Sequence, residues 1–110
     1  MPDARAAALA AYLYQCAAAF SLSADVSDAH HVARAGMALL DAARLAETLR
    51  PTDHRLTALS EAGCFETMPD KEAVFLEPAG LRAAILRPLS GGQVSGNDIL
   101  SAVVAAARAT

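Results

Sequence analysis

The sequence predicts a mostly α-helical domain of the α+β class, with four helices and a small β-hairpin inserted before the last. Three observations carry this. Apolar residues recur at steps of three and four over long stretches, which is the period of a helix face. A helix-like pattern stops at Gly63. Two turn signals then follow, Met68-Pro69-Asp70-Lys71 and Glu77-Pro78-Ala79-Gly80, and they bracket the strand-like run Ala73-Val74-Phe75-Leu76. At 110 residues the chain has the size of one domain, spanning 1–110.

The first helix runs from Asp3 to Phe20, with Leu9, Leu13, Cys16 and Phe20 on one face. Pro2 and Asp3 suit its first turn, where a missing N–H costs little and a negative charge meets the positive helix end. Ser27 and Asp28 open a second helix that continues to about Arg50, before Pro51. Along it Val32, Gly36, Leu39, Ala43, Ala46 and Leu49 form an apolar face, and Ala35, Ala38, Ala42 and Ala46 form a row small enough for another helix to approach closely. Arg34, Asp41, Arg44 and Glu47 take the wetter side. Thr52 is expected to cap a short third helix over Asp53 to Ala62, with Leu56 and Leu59 inward and Gly63 as its stop.

Cys64 to Thr67 is a weaker strand candidate. Leu81 to Arg87 has two readings: a strand returning to pair with Ala73–Leu76 across a Gly bulge, which is slightly favoured, or a helix with Pro78 in its first position that ends before Pro88. Ser90-Gly91-Gly92 is a joint. Ser95, followed three residues later by Asp98, has the form of a capping box for a last helix through Ile99, Leu100, Val103 and Val104 to about Arg108.

Apolar residues make up 55% of the chain, but alanine supplies close to half of them and there is no Trp. Alanine buries little area, so the core reads as thin and a second subunit is expected to help complete it. Leu9, Leu13, Ile99, Leu100, Val103 and Val104 are the candidate interface residues, and a homo-oligomer is the expected state. The net charge of -3 supplies no basic field for nucleic acid or anionic lipid. Cys16 and Cys64 form no disulfide framework and read as reduced thiols. The N-terminus has neither a cationic start nor an uninterrupted apolar centre, so neither a signal peptide nor a membrane span is expected, and the location reads as cytoplasmic.

Arg55-Leu56, Leu59, Ala62-Gly63, Pro69-Asp70-Lys71, Val74-Phe75-Leu76 and Pro78-Ala79-Gly80 together resemble the second half of a winged-helix domain of bacterial repressors, including the MarR and ArsR families. They echo the end of the recognition helix, the wing and the closing strand, over about a quarter of the chain. The resemblance implies a DNA contact that would gather Arg50, His54, Arg55 and Lys71 on one surface.

Other motifs carry ordinary explanations. Leu89-Ser90-Gly91-Gly92-Gln93 spells the signature peptide of ABC transporter ATPases, yet no phosphate-cradling Lys-Ser/Thr loop accompanies it. Adjacent His30 and His31 diverge on a helix, so they do not chelate one ion, and no tight Cys or His spacing marks a zinc site. No metal or other cofactor is expected. Cys64, beside a helix stop, is the more reactive thiol candidate, but no nucleophile motif surrounds either cysteine. Glu66, Asp70, Glu72 and Glu77 cluster on the expected hairpin, where charge keeps a strand edge from aggregating.

These features point to a small, non-enzymatic interaction or regulatory protein, homodimeric through its Ala, Leu and Val surfaces. The alternative is a reduced winged-helix regulator that binds DNA. Another protein is a possible partner, nucleic acid is not favoured, and no membrane is expected.

Overall fold

A computed structural model describes residues 3–23, 29–70, 72–90 and 94–109. Among them lie five helices and two strands: α1 (Ala4–Ser23), α2 (Ala29–Glu47), α3 (His54–Glu61), β1 (Phe65–Thr67), β2 (Ala73–Phe75), α4 (Leu81–Ser90) and α5 (Gly96–Arg108). The fold is mostly helical, with a small antiparallel hairpin ahead of the last helix. α1 packs along α2, α5 crosses α2 and also meets α3 and α4, and β2 lies against α1.

The hairpin is not the one favoured from sequence. β1 pairs with β2 in the register Phe65 with Phe75, Glu66 with Val74 and Thr67 with Ala73. Two hydrogen bonds close it: the Met68 amide donates to the Glu72 carbonyl, and the Glu72 amide donates to Asp70 Oδ1. The residues expected to return as a second strand form α4 instead. Leu81, Ile85 and Leu89 are buried while Ala83 is exposed; a strand would carry 81, 83 and 85 on one face, whereas a helix turns 83 away from the other two. The turn at 77–80 serves as the entry to that helix. Gly80 has φ +77°, and its carbonyl accepts from the Ala84 amide. α4 then continues through Pro88 rather than ending before it.

Two helix ends also differ from expectation. α2 stops at Glu47, one turn before Pro51, and the Thr48 hydroxyl donates to the Leu45 carbonyl there. The cap of α3 is Asp53, not Thr52: its carboxylate accepts from the Arg55 amide. The capping box of α5 forms as expected, with Ser95 accepting from the Asp98 amide and Asp98 accepting from the Ser95 amide.

Leu9, Leu13, Leu39, Leu56, Leu59, Leu81, Ile99, Leu100 and Val103 are the largest fully buried side chains. Each contributes about 1.5–3 kcal/mol by leaving water. Between them the small residues Ala35, Ala38, Ala42, Ala43 and Ala46 of α2 are buried as well. The chain compensates for small side chains by bringing backbones together, so contact with its own helices replaces the bulk that larger residues would supply.

Candidate functional site

The hairpin offers the clearest surface. Two hydrogen bonds set its parity: the Leu76 amide donates to the Cys64 carbonyl at 2.6 Å, and the Met68 amide to the Glu72 carbonyl at 2.7 Å. Even-numbered residues of β1 are thus bonded across to the β2 side, and Phe65 and Thr67 turn their backbone groups to the outer edge. No other strand pairs there among the described residues. One face of the hairpin packs on α1: the Phe75 ring sits 4.8 Å from Tyr12 and 5.7 Å from Phe65, centroid to centroid. The other face carries Glu66 and Val74. Val74 (43%), Leu76 (42%) and Met68 (40%) are among the most exposed large apolar side chains, and they mix with exposed Glu66, Asp70 and Glu72.

A second feature lies where α1, the 77–80 turn and α4 converge. The Tyr12 hydroxyl donates to Glu77 Oε1 at 2.9 Å, and Arg82 Nε stands 3.2 Å from the same oxygen. Burial pushes the Tyr12 hydroxyl well above the usual phenol range, and the neighbouring Cys16 and Glu77 push the same way. Burial likewise raises the Cys16 thiol. Beside this group is a shallow apolar cleft of about 110 Å³, lined by Cys16, Phe20, Leu39, Arg82, Ile85 and Leu89. It is small for a ligand cavity, and Arg82 at its rim is already paired with Glu77.

The residues singled out from sequence fall apart in space. Arg55 is committed within the fold: its Nε and one terminal nitrogen bind both oxygens of Asp53, at 3.0 Å each, and the other terminal nitrogen donates to Asn97 Oδ1 at 3.0 Å. This fork ties the start of α3 to the start of α5, and it holds the Asp53 carboxyl below the ordinary carboxylate value. Arg50 and His54 are exposed, and Lys71 lies outside the described residues. Of the six candidate interface residues, Leu9, Leu13, Ile99, Leu100 and Val103 are buried inside one chain, where they build the core, and Val104 is half-buried. The apolar stripes of the terminal helices are consumed by the chain itself.

Cys64 is buried at 3% exposure and its thiol is raised by burial, opposite to what a reactive thiol needs. Both cysteines are free. The side chains of His30 and His31, and residues 91–93 of the Gly-rich joint, lie outside the described residues. Among the described residues no His, Cys, Asp or Glu group could hold a metal ion, and no helix is long and apolar enough to cross a membrane.

Sequence reasoning missed one anchoring cation. Arg5 donates to the Ser60 hydroxyl and to the Pro51 carbonyl while pairing with Asp3, which clamps the start of α1 to the loop and helix around α3. Partners 46 and 55 residues away leave no local signal. No protein-family model, curated protein or solved structure matches this chain.

Proposed function

We propose that this protein is a small, non-enzymatic interaction module that presents its β-hairpin to a protein partner. One observation carries the reading: the hairpin combines an unpaired strand edge with exposed Val74, Leu76 and Met68, whereas the apolar faces of α1 and α5 are directed into the core. The exposed set is small, and the carboxylates of Glu66, Asp70 and Glu72 around it keep the strand edge from aggregating until it is covered. The raised thiols of Cys16 and Cys64 favour a binding role over nucleophilic chemistry. Burial of the terminal-helix stripes shifts the contact surface from those helices to the hairpin, and no observation favours the DNA-binding alternative, since Arg55 is already held by Asp53 and Asn97.

A displayed peptide library selected on the native protein, and counter-selected on the double variant Val74→Lys with Leu76→Lys, tests this reading. Both positions are exposed, so the variant keeps its helical circular dichroism. Peptides that bind the native protein and are lost on the variant support the hairpin as the docking face. A library that yields no binder, or only binders indifferent to the variant, rejects it.

A further inference from the structure

We infer that the outer edge of β1 accepts an extended segment of a partner protein in which a lysine or arginine stands between two apolar residues, a deepening that rests on the interaction-module reading above. The edge supplies the main-chain half of such a contact. Phe65 and Thr67 direct N–H and C=O groups outward, in the arrangement by which an added strand continues a sheet.

Charge selects the side chain at the centre of that segment. In antiparallel addition, the partner residue opposite Glu66 occupies a non-hydrogen-bonded pair, where the two Cα atoms are about 4.5 Å apart and side chains are closest. Glu66 is exposed on the outer face, Asp70 and Glu72 are exposed nearby, and no described cation pairs with any of the three. A cation opposite Glu66 is favourable, and an anion is not.

The flanking positions call for apolar groups. Partner residues opposite Phe65 and Thr67 point to the other face of the sheet, where Phe65 is half-buried and already joins Phe75 and Tyr12. An apolar side chain there extends an existing aromatic cluster. The same geometry argues against a second copy of this chain: two β1 strands in the fully overlapping antiparallel register would place Glu66 directly against Glu66.

The test uses capped heptapeptides of alternating Val and Lys, of alternating Val and Glu, and the Val and Lys peptide N-methylated on its sheet-forming amides. Binding is followed through backbone amide shifts of the labelled full chain. The expected result is that the Lys peptide perturbs residues 65–67 and binds at least about fivefold tighter than the Glu peptide. N-methylation should abolish binding, Glu66→Gln should erase the charge preference, and Glu66→Lys should reverse it.

Equal binding of the Lys and Glu peptides overturns the inference, as do perturbations confined to residues other than 65–67. So does concentration-dependent self-association that protects the 65–67 amides, which would make a second copy the occupant. If the N-methylated peptide still binds through Val74 and Leu76, strand addition fails while the docking face stands. Failure of the library selection, by contrast, removes the docking face itself.

Discussion

Gly96 meets Ala42 with no room for a side chain between them: a Cβ built on Gly96 would stand 2.7 Å from the Ala42 backbone nitrogen and 2.8 Å from the Asp41 carbonyl carbon. The first residue of α5 is thus seated directly on the backbone of α2, at the point where the alanine row of that helix removes every obstacle.

Gly96→Ala should destabilise the fold by about 2 kcal/mol, because backbone atoms cannot step aside as a flexible side chain would. In a domain of this size that is a fall in Tm of roughly 8–15 °C. Gly63 gives the control. It has φ +80° and open space around it, so Gly63→Ala should cost about 1 kcal/mol through backbone conformation alone. Asn should recover part of that loss at Gly63 and none at Gly96, as thermal melts of the four variants would show.

Leu13→Ala should cost about 2–5 kcal/mol, since Leu13 is wholly enclosed within one chain. The loss should be the same at low and high protein concentration. Val104→Ala, at a half-buried position, should cost less than about 1 kcal/mol. Urea titrations over a hundredfold range of concentration check both, and a concentration-dependent midpoint for Leu13→Ala would place that residue in a subunit contact.

Asp53 should make the fold acid-sensitive. Its folded pKa lies below the unfolded value near 4, so the folded state favours the ionised form; the stabilisation is complete above that unfolded value and disappears as pH falls through the lower folded one. Asp53→Asn keeps an adequate cap but loses the Arg55 pair, so it should lessen the fall in stability as pH drops below the unfolded value near 4. Asp53→Ala should lose about 1 kcal/mol at pH 7. Urea midpoints measured across a falling pH series give the comparison.

Phe75→Ala should release the hairpin from α1 at a cost of about 2 kcal/mol, less than a fully buried aromatic because Phe75 is only half-buried. Tyr12→Phe keeps the ring contact and loses only the exposed hydrogen bond to Glu77, so it should cost under about 1 kcal/mol. Exchange of the Met68 and Leu76 amides should quicken in the first variant and hardly change in the second.

Both thiols should label slowly in the native protein at neutral pH and quickly in urea, with Cys64 the slower of the two because it is the more buried. Rapid native labelling of Cys64 would contradict its burial between the end of α3 and the start of β1.

Local chemistry made much of the fold legible. The Ser95 and Asp98 capping box, the Gly63 stop and the turn at 69–70 each depend on residues within a few positions of one another, so pattern alone reaches them. Where two local signals competed, the choice between them was tertiary. Pro78 and Gly80 fit a hairpin turn or a helix entry equally well, and only the burial of Leu81, Ile85 and Leu89 with Ala83 left exposed decides for the helix.

The candidate surface was legible only in part. Its carboxylates and turn residues stand out in the chain, but which face Val74 shows depends on its pairing with Glu66 instead of with a residue of 81–87. Shifting the partner strand changes which apolar residues meet water.

By itself the sequence determined a helical domain with one short hairpin, through the spacing of Leu, Val and Ala and the placement of Gly and Pro. Tertiary structure decided that the apolar residues Leu9, Leu13, Ile99, Leu100 and Val103 of α1 and α5 are buried within one chain, that Arg55 anchors α3 to α5, and that no other strand among the described residues pairs with the outer edge of β1. The physical reason is range. Periodicity and capping are settled over a few residues, whereas burial, ion pairing and strand exposure depend on which distant segments the chain brings together.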